Sequence, residues 1–316
     1  MFGLGAAFAV PAAVISPFNA AAGLALAVGT LPAAMTRLNP GRAHRWLIVV
    51  VGGVAGLSVF IGSVLRQVPI VAVIALFVVG FVVPFWAARR RAGALVMGLA
   101  LPVMGIGLSV TSVSSGLLLG GLMLLGSVWA WGVSLLWPEQ TVSPPQPPRP
   151  PAPRRAVVGY GILLGAAGAL AATTAFLLHL EHVGWVTGAC LLVMRPARSM
   201  LFLRSAGRAL SVFVGALLAA LFALGSPGWL LTAIVIVLAL AGATATRGSH
   251  WYVTPAFGTF LALSLILSTA AGGTPAQRFA ERMLETLLGI GIALLFGWVI
   301  PMLFRMRRGP GRSLSA

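Results

Sequence analysis

The sequence predicts an all-α, polytopic transmembrane helix bundle, arranged as two tandem six-helix halves with both termini in the cytoplasm. Three observations carry this. First, 59% of the 316 residues are hydrophobic and only 8% are charged, where a soluble domain carries about a quarter charged residues. Second, the apolar residues come in unbroken runs such as GALLAALFAL (215–224) and WLLTAIVIVLALAGA (229–243). Segments apolar on every face need lipid or other helices around them. Third, the arginines are distributed as the positive-inside rule requires.

A hydrocarbon core about 30 Å thick takes about 20 helical residues, which divides the chain into about twelve segments. The first half, 1–137, gives 2–16, 18–35, 46–65, 68–87, 93–111 and 115–137. The second half, 156–304, gives 156–178, 183–194, 207–225, 228–244, 252–271 and 280–304. The first, second and eighth segments are short or interrupted, the first two by Pro11 and Pro17, and are expected to be tilted or broken. Phe2–Ile15 lacks the basic flank of a cleavable signal peptide and runs into more apolar sequence. Between the halves lies PEQTVSPPQPPRPPAPRR (138–155), a proline run that favours an extended, solvated spacer. Residues 305–316 form a basic tail.

All 21 basic residues are arginine, and the acids are Glu139, Glu181, Glu281 and Glu285. With an even number of spans and the N-terminus inside, every arginine except Arg66, Arg278 and Arg282 falls on the cytoplasmic side. A net charge of +17 is therefore a topological signal, and nucleic acid is not an expected partner. The Ala/Gly/Arg bias without lysine points to a high-GC, bacterial genome. A single cysteine, Cys190, excludes an internal disulfide.

The halves share landmarks. Met35–Arg37 and Met194–Arg195 end the second segment of each, and Gly41–Arg42 and Gly207–Arg208 precede a long Gly/Ala/Val-rich helix. Arg89 and Arg247 mark the loop after the fourth, and Trp137–Pro138 and Trp298–Pro301 close the sixth. Copies with six spans face the same way, so a pathway is expected where they meet. Gly52/Gly56, Gly116/Gly120 and Gly161/Gly165 have the spacing that lets helices approach closely.

On the stretches HVGWVTGACLLVMRPARSMLFLRSAGRALSVFVGALLAALFAL (182–224) and ERMLETLLGIGIALLFGWVIP (281–301), the chain resembles the fusaric acid resistance, or aromatic acid exporter, superfamily. The first carries the tryptophan-led short helix, Arg-Pro, and Arg-x-x-Gly pattern. The second carries an acid, Thr and Gly near its start and Pro at its end. The resemblance covers about half the chain and implies an inner-membrane efflux protein for aromatic carboxylic acids or similar anions, driven by protons. Distantly similar plant malate channels make passive anion conduction a rival, and a non-transporting scaffold or envelope factor is the second. The sizeable cytoplasmic domain of many members is replaced here by the proline linker.

Absences exclude other chemistry. Without lysine there is no phosphate-binding P-loop, and without aspartate no aspartyl-phosphate or Ser-His-Asp triad. The sequence also lacks HExxH and CxxC. No enzyme activity, metal or cofactor is expected. The expected partners are the bilayer, a small organic anion and, in an assembled form, further copies of the chain.

Two constellations remain. Arg278, Glu281, Arg282 and Glu285 open the twelfth segment, with each arginine three residues before an acid it can pair. Glu285 lies about 6 Å deeper than Glu281 at 1.5 Å per residue. Desolvation and a neighbouring arginine pull such a carboxyl in opposite directions, so Glu285, with Glu281 and Arg282, is the candidate for proton coupling. The second constellation is a basic mouth of Arg195, Arg198, Arg204 and Arg208 with Arg37, Arg42 and Arg45 opposite, whose guanidinium forks suit carboxylates. Arg208 is the strongest member, because it heads an apolar helix and recurs as Arg42. Trp185 is the aromatic candidate for the substrate ring, against a plain interfacial-belt role. His179 and His182 flank Glu181 without further ligands nearby, and they predict no metal site.

Overall fold

The computed structural model describes residues 1–139, 153–194, 200–247, 252–269 and 273–307. Among them the fold is helical, without strands. In chain order the helices are α1 Phe2–Ile15, α2 Ala20–Met35, α3 Leu47–Arg66, α4 Pro69–Arg89, α5 Arg91–Leu95, α6 Leu101–Gly107 and α7 Val113–Leu135. Then come α8 Arg154–Leu177, α9 Val183–Val193, α10 Leu201–Leu224, α11 Trp229–Thr246, α12 Thr254–Ser268, α13 Pro275–Leu294 and α14 Ile300–Arg307. Seven helices are long and apolar enough to cross a membrane, and shorter apolar helices lie at Phe2–Ile15, Ala20–Met35, Gly93–Gly107, Val183–Val193 and Thr254–Ser268. The chain is a multi-pass membrane protein.

Local chemistry sets the ends. Asn19 caps α2 by accepting the Ala22 N–H at 3.0 Å, and Ser112 caps α7 through the Ser115 N–H at 3.0 Å. Thr274 and Gln277 form a capping box at α13, followed by Pro275 in the first turn. That box starts α13 before the expected segment start at 280. α10 likewise begins six residues ahead of the expected 207, and so carries Arg204 inside the helix together with Arg208.

Two π turns, Val96–Ala100 and Leu295–Val299, join α5 to α6 and α13 to α14 into two longer rods. Each contains a glycine four residues before a proline, Gly98–Pro102 and Gly297–Pro301. A proline cannot donate to the carbonyl four residues back and crowds it. A wider turn around a glycine relieves that clash without ending the helix.

Small residues set the packing. At the α3–α7 crossing, a Cβ on Gly56 would lie 2.4 Å from the Gly120 carbonyl oxygen, and one on Gly116 would lie 2.0 Å from Ser63 Oγ. On α8, Gly161 and Gly165 meet the Phe81 and Phe77 carbonyls of α4. All three expected glycine pairs thus sit at close helix crossings. α9 is almost wholly buried. Its Gly184 and Gly188 admit Ile106 of α6, and Gly289 of α13 lies against the Val186 carbonyl.

The helices of the two halves interleave. α4 packs along α8 and α1 along α11, while α3 and α2 pack on α7 much as α10 and α9 pack on α13. One apolar cluster draws on α1, α2, α10, α11 and α12, and a second on α4, α6, α8, α9 and α13. Trp185 leaves α9 to join the first cluster while Val183, Val186 and Cys190 belong to the second.

Candidate functional site

The ionisable residues of α13 meet the start of α9 where those two apolar clusters adjoin. α13 presents Arg278, Glu281, Arg282 and Glu285 on successive turns; Arg278, Arg282 and Glu285 are buried, Glu285 at 2% exposure and Arg282 at 7%. Burying such groups away from water and lipid is costly unless they serve a fold or a function.

The outer layer is an ion-paired latch. The Arg278 guanidinium donates to Glu281 Oε2 at 2.9 Å and also to both carboxylate oxygens of Glu181, in the loop before α9. Arg278 holds the Glu181 carboxyl below the usual carboxylate range. In the same loop His179 adopts a positive φ of 50°, a conformation that side chains other than glycine seldom take. Glu181, His182 and Glu281 stand close enough to suggest a metal group, but Arg278 already occupies both carboxylates with its own positive charge.

The inner layer is less neutralised. The Arg282 guanidinium lies 4.2 Å from the centre of the Trp185 ring, within cation–π range. The same indole stacks on the His182 imidazole at 4.1 Å and 11°. Burial pushes the His182 imidazole down to about 4, so it is neutral near pH 7. The Glu285 carboxylate stands close to the His182 main chain, at the N-terminus of α9. Arg208 reaches in from α10, half-buried and near enough for its charge to act on Arg282. Arg282 Nη1, Arg208 Nε and Glu285 Oε2 are buried without a hydrogen-bond partner. Thr286 donates to the Arg282 carbonyl at 2.8 Å, within α13.

Of the expected site residues, Arg208, Trp185, Glu281, Arg282 and Glu285 are brought together here. Three expectations need correcting. Arg282 makes no ion pair with Glu285, because the Trp185 face competes for its guanidinium. Trp185 is buried rather than in an interfacial belt. Arg42 does not mirror Arg208. It lies exposed in a short 3₁₀ turn ahead of α3, where its N–H donates to Glu139 at 2.9 Å, whereas Arg208 sits two turns inside α10. Arg204 is half-buried one turn before Arg208 on the same face of α10, and Arg195 and Arg198 fall outside the described residues.

Sequence reasoning placed Arg45 in the basic mouth, whereas it is fully buried. It donates to the carbonyls of Ser134 in the last turn of α7, of Trp137 and Pro138 beyond that helix, and of Asn39 and Pro40. Sequence reasoning also did not assign Glu181 and His182 to this cluster, since Glu181 reaches Arg278 across 97 residues.

No curated protein and no solved structure matches the chain. Residues 170–296, which hold α9 to α13 and the whole buried cluster, match the family model described as fusaric acid resistance protein-like.

Proposed function

We propose that this protein exports organic anions, with aromatic carboxylates as the substrate class, across a bacterial inner membrane at the expense of the proton gradient. The observation that carries the reading is a pair of neighbouring guanidinium groups with donor atoms unmet: Arg282, buried against the Trp185 ring, and Arg208, half-buried close to Arg282. A guanidinium fork suits a carboxylate, and a buried indole suits an aromatic ring. Glu285, buried and outside any ion pair with Arg282, is the proton-coupling carboxylate. Glu281 acts through Arg278 at the outer surface. The family match over residues 170–296 supports a transport-related role for the same elements.

The wider architecture belongs to this proposal. The matched pairings of α3 with α7 and α10 with α13, and of α4 with α8 and α1 with α11, support two tandem repeats of six segments, with both termini cytoplasmic. The cluster lies within the second repeat, so the transport function is asymmetric between the copies.

The test is flux of radiolabelled benzoate in proteoliposomes. Glu285→Gln abolishes uphill efflux driven by a pH gradient while leaving benzoate exchange down its own gradient. Unchanged pH dependence in that variant removes the coupling role, and flux that follows voltage alone makes the protein a passive channel.

A further inference from the structure

We infer that Glu285 is a tethered occupant of the anion site itself: its carboxylate rests where the transported anion binds, between the N-terminus of α9 and the Arg282 and Arg208 guanidinium groups. The inference deepens the transport reading and rests on it.

The start of a helix presents free backbone N–H groups and partial positive charge, and it binds carboxylates and phosphates. In α9 that position is taken by a side chain of another helix, Glu285, close to the His182 main chain. Two independent features mark the place as a ligand position rather than a simple cap. Arg282, more than nine-tenths buried, keeps Nη1 unpartnered, and Glu285, still more buried, keeps Oε2 unpartnered. A purely structural cap would close that pair. Here the donor and acceptor stay apart, and Arg282 is parked on Trp185.

The other acids cannot take this part. Glu181 and Glu281 are both engaged by Arg278, so releasing either breaks an ion pair. Glu285 is outside any salt bridge among the described residues, and its Oε2 has no hydrogen-bond partner. An anion arriving at α9 meets a carboxylate at close range, and two negative charges sharing a buried site do not both stay ionised. The carboxylate therefore takes up a proton as it yields the position, and gives it back as the anion leaves. The charged groups facing it are Arg282 and Glu281 on α13, Arg208 on α10, and Glu181 and His182 before α9. α12 brings no ionisable side chain, and those of α8 are confined to its first two turns.

The test uses nitrate, a planar monoanion that does not titrate, with thermal stability of the full-length protein in detergent as the readout. At pH 7.5, Glu285→Gln and Glu285→Ala bind nitrate at least about tenfold more tightly than wild type, the worth of one charge-assisted contact. Adding Arg282→Gln to either variant removes the gain. Wild type tightens towards nitrate between pH 7.5 and 5, and the Gln variant does not. Nitrate affinity equal to or below wild type in the Glu285 variants, or a gain that survives Arg282→Gln, overturns the inference. If both variants fail to fold, the wild-type pH series decides alone: a flat series overturns it. Benzoate flux is measured separately, so loss of the transport reading and loss of the tethered-anion reading are distinguishable.

Discussion

At the scale of single residues, the cluster shows how a few charges are kept inside a bilayer protein. Each has its own solution. Arg278 is matched by two acids, Arg282 rests on an aromatic face, and Arg45 gathers carbonyls that a helix end leaves open. Losing Arg45 leaves those carbonyls without the donors that now satisfy them. Arg45→Met should lower unfolding stability by about 2–4 kcal/mol, read by denaturation in detergent. His182 gives a signed pH effect. Its folded value of about 4 lies below the ordinary 6.5, so as pH falls through 6.5 the unfolded chain takes up the proton first. Stability is therefore full at neutral pH and declines as pH falls towards 4. His182→Gln should flatten the melting temperature between pH 7 and 5. Glu181 has the same sign at lower pH, since a depressed carboxyl loses its contribution only as it is protonated.

Arg208 tests the chemistry of recognition. If a carboxylate binds its fork, Arg208→Lys raises KM for benzoate about tenfold, one bidentate contact being exchanged for a point charge. Transport equal to wild type would show that any positive charge suffices there.

At the scale of elements, glycine decides which helices touch. The α3–α7 crossing leaves no room for a side chain at Gly56, where a Cβ would fall 2.4 Å from the Gly120 carbonyl oxygen. Gly56→Leu should cost at least about 1–3 kcal/mol through forced separation of the helices. Gly291, with open space around its Cβ position, is the control: Gly291→Ala should be neutral or slightly stabilising. α9 shows the same economy in another form. It is too short to span a bilayer, but its Gly184 and Gly188 admit α6 and Gly289 of α13 lets that helix close on it, so its polar start lies inside the protein.

At the scale of the whole molecule, residues 1–137 and 156–304 interleave, so each stretch buries some of its helices against the other. α4 needs α8, and α11 needs α1. Residues 1–137 and 156–304 expressed separately should therefore be unstable alone and recover only when co-expressed, which co-purification and melting measure. Orientation is tested by labelling: a cysteine at Ser143, in the proline linker, should react with an impermeant reagent only after the cytoplasmic face is opened. Reaction from the outside would reverse the topology on which the direction of export depends.

What could be read along the chain was whatever depends on local composition. Apolar runs about as long as a bilayer is thick must be helical, because lipid offers backbone groups no other partner. The paired glycines, the acids of α13 and Arg208 were visible for the same reason: each is an exception in an apolar background. The partners of those exceptions were not visible. That Arg282 turns to Trp185 rather than Glu285, that Glu181 reaches Arg278, and that Arg45 caps α7 are contacts between segments far apart in sequence. Only packing brings them together. Helix ends moved for a related reason, since Arg204 reads as a loop residue until α10 is seen to carry it. Composition thus determined the solvent and the secondary structure, while the close approach of α9, α10 and α13 decided which charges share a site.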